Sequence, residues 1–322
     1  MPGPPANWQG PDKPALPAPI DTCRPADGHN SRPWTCTGLM TQSDIRQRAD
    51  PSGPVGIFDS GIGGLSIMRE IRQLMPNEDL CYVADSAWMP YGEKPAGVVR
   101  DRSLKIARFL VEIQHCKAIV IACNTATSLA ADLLRSGIDL PVIAIEPAIK
   151  PALERTNSGV IGVMATSGTL SGDKFGRLQS RFSGDRRVIS QPCPGLAKEI
   201  EKGKLHSIRL RKLLSRYIQP FHEQGADLVV LGCTHYPIVK PLIRELAGPK
   251  IEIIDSGEAV ARQLQRKLHA SGLQSPSARD GRQHFWCSGE TGDFASSLAS
   301  LTGTLFHVAE LPVSQGSQGI PR

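Results

Sequence analysis

From Val55 onward, short apolar runs alternate with stretches in which apolar positions recur every three or four residues. The short runs, rich in Val and Ile, predict strands at Val55–Phe58, Leu80–Ala84, Ala118–Ala122, Val142–Ile145, Val160–Met164, Val188–Ser190, Leu228–Leu231 and Ile251–Ile254. Ahead of the third strand, Val99, Ser103, Ile106, Leu110 and Ile113 repeat at four and three. They predict an amphipathic helix with Arg102, Lys105 and Glu112 directed away from its apolar stripe. Ahead of the seventh strand, Leu210, Leu214, Tyr217 and Phe221 do the same, and Gly225 ends that helix. Strands alternating with helices predict an α/β fold with mainly parallel sheets flanked by helices.

In open α/β sheets, ligands bind beyond the carboxyl ends of the strands. The residues just past the predicted strands are Asp59-Ser60-Gly61, Asp85-Ser86, Cys123-Asn124-Thr125, Glu146-Pro147, Ala165-Thr166-Ser167, Cys233-Thr234-His235 and Asp255-Ser256-Gly257. Small polar and acid–base groups are thus delivered to one edge. Two of these strand ends deliver a cysteine followed by hydrogen-bonding residues, and the Asp-Ser-Gly tripeptide occurs twice. Both features suggest two similar halves.

Residues 1 to about 53 break the pattern. They hold 10 of the 26 prolines and no apolar period, so they cannot bury enough surface to offset their ordering entropy and are expected to be disordered. Met40, near the end of this leader, is a candidate translation start. The expected organisation is a leader over 1–53, a first α/β domain over 54–146 plus 258–313, a second over 147–257, and a flexible tail over 314–322. Each domain carries one strand-end cysteine, which suggests two similar half-sites facing one substrate.

Composition narrows the function. No apolar run approaches the ~20 residues of a membrane span, and the N-terminus lacks the layout of a signal peptide, which places the protein in the cytoplasm with no membrane partner. The eight cysteines include no Cys-x-x-Cys pair, and no His, Glu or Asp cluster has metal-ligand spacing, so no metal is expected. The net charge of +6 is spread over helices such as Arg209-Leu210-Arg211-Lys212, the signature of a solvated face. With aromatic residues at only 5%, stacking on single-stranded nucleic acid is not expected.

The chemistry-bearing motifs are few. In Asp59-Ser60-Gly61-Ile62-Gly63-Gly64, glycines at a strand-to-helix turn let backbone amides approach an anion. Ser66 breaks the dinucleotide fingerprint, and Asp59 would face a phosphate with like charge, so a substrate carboxylate or ammonium fits better. Pro90-Tyr91-Gly92 reads as a rigid turn able to aim backbone amides and a phenol. A single strand-end cysteine is compatible with inert core packing. Two in equivalent places, one beside Asn124 and Thr125 and the other beside Thr234 and His235, suggest a thiol and a thiolate facing one carbon acid. One removes the α-proton and the other returns a proton with inverted configuration. A reference thiol pKa of ~8.5 leaves both protonation states accessible near neutrality.

Six motifs in order carry a resemblance: 59–64, Pro-Tyr-Gly at 90–92, Cys-Asn-Thr-Ala at 123–126, Ala-Thr-x-Gly-Thr at 165–169, Gly-Cys-Thr-His-Tyr-Pro at 232–237 and Asp-Ser-Gly-Glu at 255–258. Together they resemble the glutamate racemase family from about Val55 to Glu258, with a looser tail to about Leu311. The resemblance implies two α/β domains with the active site in the cleft between them, and a cofactor-independent isomerase that interconverts L- and D-glutamate and supplies D-glutamate to peptidoglycan. It implies Cys123 and Cys233 as the acid/base pair, with Asp59 assisting the first and His235 the second. It implies Ser60, Asp59, Tyr91, Gly92, Asn124, Thr125, Thr234 and His235 as substrate contacts. The family's helper glutamate falls on Glu201, with Glu199 close by. The alternatives are a related racemase or isomerase acting on aspartate, a hydantoin or maleate, and a non-catalytic protein that binds DNA gyrase as some family members do. Glutamate is the expected small-molecule partner, and a homodimer is compatible with the chain.

Overall fold

The structure, a computed structural model, describes residues 49–182 and 185–312. The first 48 residues of the expected leader, the candidate start at Met40 and the expected tail over 314–322 lie outside the described residues.

Among the described residues ten strands form two sheets, and every neighbouring pair is parallel. They are β1 (Val55–Asp59), β2 (Leu80–Ala84), β3 (Ala118–Ile121), β4 (Val142–Ala144), β5 (Val160–Ala165), β6 (Arg187–Pro192), β7 (Leu228–Gly232), β8 (Glu252–Ile254), β9 (Gln283–Cys287) and β10 (Val308–Glu310). The first sheet has the order β10-β9-β2-β1-β3-β4 and the second β6-β5-β7-β8. The eight expected strands are present, with ends moved by no more than two residues. β9 and β10 escape the apolar pattern because only Phe285 and Cys287 of β9, and no residue of β10, are fully buried.

Helices cover both faces of each sheet, which is why β1, β2, β3 and β7 are buried along their whole length. In the first sheet, Ile57, Tyr82 and Val120 pack with Ile67 and Ile71 of the helix Leu65–Leu74 and with Leu264 of Gly257–Ala270. On the opposite face, Phe58, Val83 and Ile121 meet Val99 and Ile106 of Ala96–Arg108 and Leu134 of Asn124–Gly137. In the second sheet, the helix Ile208–Glu223 buries Leu210, Leu214, Tyr217, Ile218 and Phe221, each large apolar side chain contributing ~1.5–3 kcal/mol. Ser207 caps that helix by accepting from the Leu210 amide at 3.2 Å, and Gly225, at φ 71°, ends it as expected.

Two side chains in the helix before β3 lie opposite to expectation. Arg102 is buried, because it lies three residues from Val99 and so on the same stripe, where the carboxylate of Asp85 neutralises it. Ile113 is 61% exposed. The helix ends in a π turn over Phe109–Ile113, with the Gln114 amide bonded to the Phe109 carbonyl, and this widening rotates Ile113 off the stripe.

The topology fixes where a ligand can sit. In the first sheet the chain leaves β1 for β2 on one side and β3 lies on the other. In the second, β6 and β7 flank β5 in the same way. Each sheet therefore has a switch point, between β1 and β3 and between β5 and β7, and crevices open at the carboxyl ends of those strands. Asp59 and Cys123 occupy the first point; Thr166 and Cys233 occupy the second. Among the described residues no helix is long and apolar enough to cross a membrane.

Candidate active site

The two switch points share one cavity of about 10 Å³, lined among others by Ser60, Tyr91, Gly92, Cys123, Asn124 and Thr125 from the first sheet's loops and by Thr166, Thr169, Cys233, Thr234 and His235 from the second's. Nine residues singled out in the sequence thus converge here. The remaining two, Asp59 and Glu201, lie directly behind, each bonded to a lining residue. Larger cavities elsewhere contain none of these residues.

Cys123 caps the helix Asn124–Gly137, its carbonyl accepting from the Thr127 amide. Its Sγ lies 3.9 Å from Ser60 Oγ. Burial, and then the nearby charge of Asp59, push the thiol up to about 12, so it is protonated at neutral pH. Asp59 is fully buried. It accepts from Thr234 Oγ1 at 2.7 Å, from the Gly61 amide at 2.9 Å and from Ser60 Oγ at 3.2 Å. Burial raises its pKa above the usual 3.8, against the lowering influence of His235 and of these donors.

Cys233 stands just past β7, its Sγ 3.8 Å from His235 Nδ1. The other ring nitrogen, Nε2, lies 2.7 Å from Glu201 Oε2. Burial alone would depress the histidine pKa. The hydrogen bonds with Cys233 and Glu201, and the charge of Glu201, outweigh it and hold the ring well above 6.5, so an imidazolium donates to both sides. Of the two neighbouring glutamates, Glu201 faces the histidine; Glu199 pairs with Lys202 at 2.9 Å and Arg209 at 3.3 Å.

The halves are cross-bonded around the cavity. Besides the Thr234–Asp59 bond, Glu201 accepts from the Ile62 amide at 3.2 Å and Ser66 Oγ donates to the Thr234 carbonyl at 3.2 Å. Thr125 of one half meets Thr166 at 3.0 Å and Thr169 at 3.3 Å of the other. The glycine-rich turn therefore spends its Gly61 and Ile62 amides on the protein's own carboxylates. Gly63 allows the contact: a Cβ there would lie 2.5 Å from His235 Nδ1 and 2.8 Å from its backbone nitrogen. Gly63→Ala is expected to cost about 1–3 kcal/mol of overpacking. Because the displaced group is His235, the loss should appear chiefly as an activity lower by about tenfold or more, read by steady-state kinetics alongside thermal unfolding.

Asn124 is buried, lines the cavity, and neither its Oδ1 nor its Nδ2 has a hydrogen-bond partner among the described residues. Orphaned amides of this kind are rare in folded chains and signal a polar ligand. Tyr91 departs from the reading of a phenol aimed at substrate, because its hydroxyl donates to Asp85 Oδ2 at 2.5 Å. Thr169 is the lining hydroxyl that residue-by-residue reading passes over, although it closes the Ala-Thr-x-Gly-Thr motif. The two Asp-Ser-Gly copies share a turn, since the Gly257 amide bonds Asp255 Oδ1 at 3.0 Å as Gly61 bonds Asp59. Asp255, however, pairs with Lys240 and does not line the cavity. The six described cysteines are all free and buried. Among the described residues no group of three or more His, Cys, Asp or Glu side chains could hold a metal ion.

Known proteins resemble this chain over most of its length. A family described as Asp/Glu/hydantoin racemase matches residues 56–264. The chain is 50% identical over 256 residues to the glutamate racemase of Stutzerimonas stutzeri, covering 79% of this chain and 96% of that protein. Among solved structures, glutamate racemase from Francisella tularensis in complex with D-glutamate superposes with a TM-score of 0.72 at 28% identity, covering 82% of this chain and 98% of that one. The Escherichia coli glutamate racemase in complex with L-glutamate and the activator UDP-MurNAc-Ala gives 0.70 at 29% identity, covering 80% and 97%.

Proposed function

The chain belongs to the Asp/Glu/hydantoin racemase family, and from that premise we propose that it interconverts L- and D-glutamate by two-base proton transfer between Cys123 and Cys233, without a cofactor. The observation that carries this reading is that two thiols from different sheets share one cavity, each with its own proton-handling partner. Cys233 pairs with the His235 imidazolium, which is held by Glu201 and stabilises a thiolate at Sγ. Cys123 remains a thiol, with the Asp59 carboxylate behind it as its eventual proton acceptor.

On this reading the Cys233 thiolate takes the α-proton of one enantiomer while Cys123 delivers its proton to the opposite face. For the other enantiomer the order reverses: Asp59 takes the proton of Cys123, whose thiolate then removes the α-proton, while the His235 imidazolium passes a proton to Cys233, which delivers it to the opposite face. Negative charge builds on the substrate carboxylate as the Cα–H bond breaks, so donors fixed beforehand are what lower the barrier. The Asn124 amide, the hydroxyls of Ser60, Thr125 and Thr234, and the main chain at Tyr91–Gly92 are those donors. A cavity of about 10 Å³ admits no more than one water. The halves must therefore part for glutamate to enter, and closing them excludes solvent from the carbanion. The moving bodies are the domains expected over 54–146 plus 258–313 and over 147–257. D-glutamate made this way serves peptidoglycan synthesis, in the cytoplasm.

Incubation of L-glutamate with the purified protein in D₂O, with no added cofactor, tests the proposal. At early times D-glutamate should appear with deuterium at Cα while the remaining L-glutamate keeps its protium, because each face has its own base. Folded protein that yields neither product nor exchange would overturn the racemase reading. Equal early labelling of both enantiomers would overturn the two-base step.

A further inference from the structure

Behind the cavity wall lies a buried cluster that the proton-transfer scheme does not use. Asp85, just past β2, and Arg102 are 0% and 2% exposed, far from the solvent that normally hosts such a pair. Arg102 grips the carboxylate at two points, Nη2 to Oδ1 at 2.6 Å and Nε to Oδ2 at 2.9 Å. The Tyr91 hydroxyl adds a third bond, to Oδ2, at 2.5 Å. The guanidinium also lies over the ring of Trp88, 5.2 Å from its centroid. One carboxylate thus ties together the start of the 85–93 loop, its middle at Trp88 through Arg102, and Tyr91 near its end.

That loop forms the wall of the cavity at Pro90, Tyr91 and Gly92. Its far side abuts the other half. A Cβ at Gly92 would lie 2.6 Å from Thr166 Cβ, and a Cβ at Gly168 would lie 3.1 Å from the Gly92 carbonyl oxygen. Its near end is fixed to the proton-transfer machinery, since the Asp85 amide donates to the Asp59 carbonyl at 2.9 Å. A loop held between two such contacts has little freedom left except at its own anchor. Burying an ion pair with a phenol to make that anchor is costly, and hydrophobic packing would hold a merely structural turn as well. A planar fork on a carboxylate instead fixes direction as well as distance.

We infer that Asp85 and Arg102, with the Tyr91 hydroxyl, are positioning residues that set the Pro90–Gly92 wall and thereby substrate affinity, without touching substrate. This rests on reading the cavity as the glutamate site. Tyr91 on this view reaches the substrate through its main chain alone, its phenol being turned away toward Asp85.

The experiment compares Arg102→Lys, Tyr91→Phe and the double variant with the wild-type chain. Each is assayed for racemisation of L- and D-glutamate at saturating and limiting concentration, with thermal unfolding measured alongside. Arg102→Lys keeps the charge but loses the fork; Tyr91→Phe removes one oxygen. Each should raise KM about tenfold, the equivalent of one hydrogen bond to a charged group, with kcat falling by much less than KM rises. The double variant should be little worse than the worse single, because both act through the same carboxylate. A cluster serving only stability would lower the unfolding temperature and leave KM of the folded protein unchanged, which overturns the proposal. Additive effects would overturn it too, since a phenol bound directly to substrate predicts them. If Arg102→Lys fails to fold, KM of Tyr91→Phe decides. A wild-type chain that does not racemise glutamate defeats the functional reading; an active wild type with unchanged variant KM defeats only the clamp.

Discussion

Replacing either Cys123 or Cys233 by serine is expected to lower kcat/KM for racemisation by about 10³-fold, within the range for loss of a positioned acid or base. The fold should survive. Both thiols are buried, serine is slightly smaller, and a thiol contributes little as a hydrogen-bond partner. Because enantiomers have equal free energy, kcat/KM must fall by the same factor in both directions whichever cysteine is changed. The asymmetry of the site has to be sought elsewhere, in exchange without inversion. The Cys123→Ser chain keeps Cys233 with His235 and Glu201, so it should still wash deuterium from D₂O into Cα of one enantiomer and return it with retained configuration. The Cys233→Ser chain, left with Cys123 and Asp59, should exchange the other enantiomer. Full racemisation by either variant, or exchange of the same enantiomer by both, would sink the two-base assignment.

The positions of the two thiols are legible in the sequence because parallel strands are buried on both faces. No alternation of apolar and polar positions is needed to find them. Ala118–Ile121 and Leu228–Gly232 are continuous apolar runs, and a polar residue just beyond such a run lies at a sheet edge. What is not legible is every feature that depends on how the halves meet. Thr234 binding the carboxylate of Asp59, and Glu201 reaching the Ile62 amide, join residues 175 and 139 positions apart, and no local period encodes them. Arg102 is hidden for a related reason. Its spacing from Val99 puts it on the buried stripe, but its charge argues for solvent until Asp85, 17 residues earlier, comes into view. β9 and β10 escape detection because strands at the outer side of a sheet need little apolar surface to pair, and only two of their residues are fully buried.

Activity against pH is expected to be bell-shaped, with each limb belonging to a different half of the site. kcat/KM reports the groups of the free enzyme. On the acidic side Asp59 must be ionised to accept the proton of Cys123, and burial has raised its pKa above 3.8. Activity is therefore lost as pH falls through that raised value. On the alkaline side His235 must keep its proton to hold Cys233 as a thiolate, and its partners have lifted its pKa well above 6.5. Activity is lost as pH rises through that higher value. Asp59→Asn should lower the plateau by about 10² and abolish the acidic limb, while leaving the alkaline one in place. His235→Asn should do the reverse. Asp59→Asn has a second, opposite consequence. The Asp59 charge is the main cause, after burial, that pushes Cys123 to about 12, so its removal should bring that thiol down. The shift is measurable as thiolate ultraviolet absorbance in an alkaline titration of the variant. A thiol easier to ionise and yet a slower enzyme is the combination that distinguishes Asp59 as a proton acceptor from a group that merely tunes Cys123. If Asp59→Asn kept the acidic limb, Asp59 would not be the proton acceptor; if the thiol titrated as in the wild type, Asp59 would not tune Cys123.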